Sequence, residues 1–188
     1  QISIAKLCTR IADETETMMR RHKKEVNGNS LAMMLAAVEL AQQIVADLRG
    51  EHPFACVPGC HLCCYLKVEL FSWETYGIAS YIIQEWPRAE VVALYHDLTQ
   101  KASQAAGLLP VEYLTAKIPC AMLSEEGMCR VYPVRPIACV AYHSLDLEHC
   151  QSGFDDPSKP DILQVAEIIV GVPGVQVGVL RVLDPALL

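Results

Sequence analysis

Four cysteines fall within nine residues of this chain, Cys56-Val-Pro-Gly-Cys60-His-Leu-Cys63-Cys64, and four more follow at Cys120, Cys129, Cys139 and Cys150. No packing requirement asks for thiols at that density. A soft metal does, because it needs several thiolates converging on one point, and close pairs supply two of them at little loop-closure entropy. Pro58-Gly59 predicts a tight turn between the first two cysteines, and glycine lets backbone amides approach sulfur. The eight cysteines are therefore candidate metal ligands, enough for two four-thiolate sites or for one site with spares. In extended backbone, neighbouring side chains point to opposite faces. The simplest use of Cys63 and Cys64 is then one thiol for each of two nearby centres, or one of them beside the centre.

Zinc and an iron-sulfur cluster both accept all-thiolate ligation, and the spacings match neither of the common ferredoxin patterns. Four thiolates on a dication leave a net charge of about −2, which needs cationic neighbours or backbone donors. Arg130 and Arg135 flank the second group and are candidates for that task, with a surface turn at Arg135-Pro136 as the alternative. His61, His143 and His149 are alternative ligands. With thiolates in surplus, each is expected beside the centre or at the surface instead.

A disulfide framework is the competing use of cysteine. The count of nine is odd, adjacent Cys63 and Cys64 do not readily bridge each other, and the chain is 52% apolar, so it has core enough without staples. Reduced thiols in the cytoplasm are the expectation. The chain opens Gln-Ile-Ser with no secretory pattern in view. No run of about 18 uninterrupted apolar residues occurs, and the most apolar tail, Ile162 to Leu183, is interrupted by Gly171, Pro173 and Gly174. A soluble protein with no membrane partner is expected.

At 188 residues one domain is expected, over residues 1–188. Aromatic residues make up only 6%, so the core rests on Leu, Ile, Val, Ala and Met, which suits helices. The fold class expected is mainly α: a helical hairpin at 1–50, a cysteine-rich metal-binding core at 51–150 with further helices around it, and a C-terminal helical segment at 151–188.

Helical spacing of Ile4, Leu7, Cys8, Ile11 and Met18 predicts a first helix from Ile4 to Glu25, capped by Ser3, with Cys8 a core thiol. Asn27-Gly28-Asn29-Ser30 predicts a turn. A second helix from Leu31 to Arg49 carries Leu31, Leu35, Val38, Ile44, Val45 and Leu48 as its stripe and ends at Gly50. Met33 and Met34 are expected in the core. Helices are predicted from Trp73 to Trp86, capped by Ser72 with Glu74 as a helix-start charge, and from Arg88 to Ala106. Residues 108–157, punctuated by Pro110, Pro119, Gly127, Pro133, Pro136 and Pro157, read as irregular and in need of an organiser, which a metal would supply. A further helix is predicted from an Asp161 cap to Val170, and Val175 to Leu183 is open between helix and strand.

Charge is uneven. Residues 1–50 carry seven Lys/Arg and six Asp/Glu, whereas residues 51–188 carry eight against sixteen, a net of −8. An acidic cysteine region argues against a nucleic-acid partner. The basic run Arg20-Arg21-His22-Lys23-Lys24 suits a solvated helix end.

The cysteine block, the Ser72-Trp73-Glu74 helix start and the stretch Cys120-Ala-Met-Leu123, Cys129-Arg-Val-Tyr132, Arg135-Pro136-Ile-Ala-Cys139 together resemble the CxxCxxCC cysteine-cluster family over about residues 56–150. That family is a zinc- or iron-chelating domain. Here the first gap is three residues instead of two, and Val140 stands where an Arg often follows the last cysteine. The family is similar in turn to flagellin lysine N-methylase, which shares a cysteine cluster and uses S-adenosylmethionine, although this chain shows no glycine-rich methyl-donor loop.

Three functions are consistent with these features: a metal-binding protein that handles metal or redox state, a methylase-like enzyme that modifies protein side chains, and an interaction module held together by zinc. The metal ion is the implied partner. Cys60-His61 is a poor nucleophile pair, since adjacent residues rarely face each other and ligation consumes the thiol. Glu74, Glu125 and Glu126 read as a helix-start charge and a solvated turn.

Overall fold

The computed structural model describes residues 3–25, 29–159 and 163–183. Among them the structure is mainly α and contains no strand, only an isolated bridge between Leu123 and Cys129. In chain order the helices are α1 (Ile4–Glu25), α2 (Ser30–Arg49), α3 (Ser72–Glu85), α4 (Arg88–Ala105), α5 (Pro110–Ala116), α6 (Ile137–Ala141), α7 (Leu147–Asp155), α8 (Ala166–Gly171) and α9 (Pro173–Leu183). Short 3-10 turns lie at Leu62–Tyr65 and Tyr132–Val134. The first helix occupies its predicted bounds. Asp161 and the turn residues Asn27 and Gly28 lie outside the described residues.

Helix α1 buries Leu7, Ile11, Thr15 and Met19, one residue per turn, together with Ala12. That stripe faces chiefly α9 and α8, and its contact with α2 is smaller, so the predicted α1–α2 pairing is the lesser of its interfaces. The approach of α9 depends on two glycines. A Cβ on Gly174 would stand 2.5 Å from the Cys8 carbonyl oxygen, and one on Gly178 would stand 2.5 Å from the Thr15 Cβ and 2.6 Å from the Ala12 carbonyl oxygen. Gly174, expected to interrupt the tail, instead joins it to α1, as Gly178 does. At the rim, Arg181 donates to Asp13 at 2.7 Å and Lys23 to the Val182 carbonyl at 3.1 Å.

Helix α2 starts one residue earlier than predicted, at an Asn29 cap whose side chain accepts from the Ala32 N–H, and it ends at Gly50. Its deepest face is Met33, Met34, Ala37, Val38 and Ala41, while Leu35 is exposed. The predicted stripe is thus rotated in favour of small residues and methionines, because α3 and α6 both press on this side. Where α3 crosses, Gly77 has no side chain to strike Met34, whose Cβ would lie 2.4 Å from an added Cβ.

The stretch read as irregular has a period of its own. Val131, Val134, Ile137 and Val140 recur every third residue through the 3-10 turn and α6, and all four are buried, with both elements packed on α2. A threefold repeat is the spacing of a 3-10 turn, whose i and i+3 side chains eclipse. This apolar ridge anchors the segment that carries Cys129 and Cys139. By length and composition, α2 and the α8–α9 stretch are each apolar enough to cross a membrane. In this fold the core residues of both are covered by neighbouring helices.

Candidate metal centre

Tight turns present the cysteines. Pro58-Gly59 forms the predicted turn, closed by the Cys60 N–H on the Val57 carbonyl at 3.0 Å, with Gly59 at a φ of 86°. Cys63 and Cys64 sit in the Leu62–Tyr65 3-10 turn, so their side chains do not take the opposite faces expected of extended backbone. Their thiols are hydrogen-bonded to each other. That bond stabilises the Cys64 thiolate and brings its pKa down to about 7, while the same bond, burial and the neighbouring charge push the Cys63 thiol far up. The adjacent pair thus gives up one proton readily and holds the other.

Four ties bring the later cysteines to this turn. The Cys120 N–H donates to the Cys64 carbonyl at 2.8 Å. The tip of the 124–128 hairpin rests on the Cys60 turn at Gly127 (φ 76°), where an added Cβ would stand 3.1 Å from both the Gly59 oxygen and the His61 Nδ1. The Ala55 N–H donates to the Ser144 carbonyl at 2.8 Å. Finally, Phe154 of α7 meets Tyr65 edge-on at 5.1 Å and carries the Lys117 ammonium on its face at 4.3 Å. Helix α7, which holds Cys150, is capped by Asp146 accepting from the Glu148 and His149 N–H groups at 2.8 and 3.2 Å.

Electrostatics divides the thiols. Burial, then the charges of Cys120, Cys129 and Cys64, push the Cys139 thiol up to about 12, with Arg135 pulling the other way. Cys120 and Cys129 are raised by burial and by Cys64, and each is partly relieved by a backbone N–H, from Met122 and Val131 respectively. Cys150 is raised by burial and then by Cys60 and Cys56. Cys63 senses members of both groups, Cys139 and Cys56. Charge on Cys64 thus reaches Cys120, Cys129 and Cys139, charge on Cys56 and Cys60 reaches Cys150, and charge on Cys139 and Cys56 reaches Cys63. Among the described residues no three Cys, His, Asp or Glu side chains are closed around a point where an ion could sit. The donor chemistry, neighbouring thiols of which Cys63, Cys120, Cys129, Cys139 and Cys150 have raised proton affinity, suits a soft cation that displaces protons on binding.

His143 is buried with both ring nitrogens engaged, Nδ1 at 2.8 Å from the Ala141 oxygen and Nε2 accepting from the Val165 N–H at 2.8 Å. Phe54 stacks on the ring at 4.5 Å. It is a strut beside the thiols. A His143→Ala protein is expected to lose about 2–4 kcal/mol of stability while keeping the wild-type metal-to-protein ratio in its folded fraction, as urea titration and elemental analysis would show. His61 bonds to the Gly59 carbonyl at 3.1 Å and favours the Cys64 thiolate, whereas His149 is exposed on α7.

Of the two arginines, Arg130 lies 3.7 Å over the Trp86 ring and pairs with Glu90 of α4. Arg135 stacks 3.8 Å over Tyr132, and its charge favours the Cys129 and Cys139 thiolates. Glu74 is the residue that sequence reasoning undervalued. Fully buried, it accepts from the Phe71 N–H at 3.0 Å, the Ile137 N–H at 2.9 Å and the Gln176 Nε2 at 3.0 Å. Its carboxylate thus joins the start of α3, the start of α6 and the middle of α9, two residues before Cys139. A Glu three residues after Phe71, in the first helical turn, was the available signal, but it spoke only for the cap.

No curated protein and no solved structure matches the chain. A family model does, over residues 55–155, and its description is "Putative zinc- or iron-chelating domain". The match takes in every clustered cysteine and more than half of the sequence, and the chain belongs to the CxxCxxCC family.

Proposed function

We propose that this chain holds zinc or iron through thiolates of Cys56, Cys60, Cys63, Cys64, Cys120, Cys129, Cys139 and Cys150, in two neighbouring groups that meet at the Cys63–Cys64 turn. Its role is to take up and hand on metal in the reducing environment of the cytoplasm. The observation that carries the reading is the meeting of the cysteine loops at this turn: the Cys120 N–H bonds the Cys64 carbonyl at 2.8 Å, and the 124–128 tip rests at Gly127 against Gly59 and His61.

Elemental analysis of anaerobically purified protein, with an absorption spectrum, tests it. Two equivalents of colourless zinc per chain, or brown iron with inorganic sulfide, is the expected result; metal-free folded protein defeats it. Cys63→Ser and Cys64→Ser should each lower metal content and stability together, since ligation free energy is folding free energy. Loading has a pH signature. Thiols raised by burial, such as Cys139 at about 12, are protonated at neutral pH and must lose that proton to bind. Apparent affinity should therefore rise with pH and fall on acidification, with proton release on loading visible in weakly buffered solution.

A further inference from the structure

Helix α7 carries Cys150 but stands outside the body of the fold. Among the described residues, none of its apolar side chains joins the hydrophobic core. From Asp146 to Lys159, every hydrogen bond among the described residues is to Ser144 or to another residue of the same stretch. The segments that carry the other late cysteines are built differently. Cys120 is bonded through its N–H to Cys64. Cys129 and Cys139 ride on the ridge of Val131, Val134, Ile137 and Val140 packed on α2.

The base of this stretch is fixed. The Leu145 N–H donates to the Leu163 carbonyl at 2.9 Å, so the chain returns to the place it left. Buried His143 accepts from the Val165 N–H at 2.8 Å, and the Gln164 Nε2 donates to the His143 carbonyl at 2.9 Å. Val165 is itself a core residue, and Leu145 packs against the core. A segment with few apolar contacts and no long-range hydrogen bonds opens locally, at lower free energy than the core that anchors it.

The far end of α7 is held by an aromatic latch on the Leu62–Tyr65 turn, the element it meets most closely. Phe154 stands edge-on to Tyr65 at 5.1 Å and takes the Lys117 ammonium on its face at 4.3 Å. Lys117 ends α5 in the left-handed region (φ 48°, ψ 46°), a place that favours glycine or asparagine. A lysine there costs backbone strain, and its side chain is the one that closes on Phe154. With the latch shut, Cys150 is buried, within reach of the charge on Cys60 and Cys56. From the fixed base, the unpinned helix and the latch, we infer that α7 is a hinged flap on the cysteine turn, and that Cys150 leaves and returns with it as metal exits and enters. The role of Cys150 rests on the metal reading above; the hinge does not. Withdrawing one thiolate opens a coordination position for an acceptor's ligand, so metal is handed on from the open state.

Two measurements on the full chain test this: hydrogen exchange, and the rate at which zinc passes from the loaded protein to an excess of coloured chelator. The amides of 150–155 should exchange through a local opening that urea barely affects, whereas those of α1, α2 and α9 follow global unfolding. Phe154→Ala should speed both the 150–155 amides and zinc release about tenfold at unchanged zinc content. Lys117→Gln should act in the same direction by about threefold, and Phe154→Tyr, which keeps the ring, should behave as the parent. Leu7→Ala, which weakens the core, should speed the α1 amides and leave the 150–155 amides and zinc release at the parent's rates. The inference is overturned if the 150–155 amides respond to urea and to Leu7→Ala as those of α1 do. It is overturned equally if the Phe154→Ala protein releases zinc at the parent's rate. Folded protein that takes up no zinc would defeat the metal reading and the role of Cys150 with it, and the exchange pattern would still decide the hinge.

Discussion

A Glu74→Leu protein is expected to unfold about 3–5 kcal/mol more easily than the parent and to lose metal affinity out of proportion to that loss. The first part follows from what the carboxylate leaves behind. The Ile137 N–H and the Gln176 amide are both bonded to Glu74 inside the protein. A buried donor stripped of its partner costs about 1–3 kcal/mol, more where the lost partner was charged. Phe71 is exposed, and water can take over its N–H.

The second part follows from position. Ile137 opens α6, and Cys139 is its third residue. With the Ile137 N–H released, the turn that presents Cys139 is no longer fixed to α3, and a centre with one wandering ligand binds metal weakly. Glu74→Gln keeps one acceptor oxygen while setting an amide donor against a donor, so an intermediate loss is expected. Leu7→Ala, which opens a cavity in the α1 stripe outside the 56–150 cysteine region, is the control for plain destabilisation. Urea midpoints and competitive metal titration of the three variants decide the matter. Equal loss of metal affinity in the Glu74→Leu and Leu7→Ala proteins would show that Glu74 only stabilises the fold.

What could be read from the residues, and what could not, divides along physical lines. Helices α1, α2, α3 and α4 were legible because each is long enough to show several apolar turns and is bounded by a cap, a glycine or a proline. The helical tail was obscured because Gly171 and Gly174 were read only as breaks in an apolar run. Propensity counts against a glycine in a helix, whereas a crossing at close range asks for one, and no sequence window shows that α1 is the partner. Much the same holds for α6. Five residues are too few for a 3.6-residue period, and the threefold repeat of Val131, Val134, Ile137 and Val140 was hidden among prolines that suggested loop.

For the centre, density singled out Cys56 to Cys64 as candidate ligands, since short-range clustering is a property of the sequence itself, and the second group joined them as candidates by lying in a stretch in need of an organiser. How their loops meet was out of reach, because it depends on contacts far apart in sequence: Cys120 on Cys64, Gly127 on Gly59, Ala55 on Ser144. The histidines illustrate the limit well. His61 stood out only by lying inside the cysteine cluster, and the fold alone shows it closing a turn, His143 locked between two backbone groups and His149 exposed.

The α1–α9 crossing gives a prediction in which two well-founded rules oppose each other. Replacing Gly178 by alanine should stabilise an isolated helix by about 1 kcal/mol. In this protein it is expected to destabilise instead, by about 2–3 kcal/mol net, lowering Tm by roughly 4–12 °C for a chain of this size. The reason is what the new methyl meets. Two of its neighbours, the Ala12 oxygen at 2.6 Å and the Thr15 Cβ at 2.5 Å, belong to the frame of α1 and not to the end of a flexible side chain. Relief requires the helices to part, which loosens Val175, Val179 and Val182, all buried between them and their neighbours. Gly174→Ala meets the Cys8 oxygen in the same manner and should cost a similar amount. The double variant should cost less than the sum, because one separation of the two helices makes room for both methyls. Thermal unfolding of the two single variants and the double one measures all three terms. Stabilisation by either alanine, at the size helix propensity alone gives, would mean that α1 and α9 do not meet at these glycines.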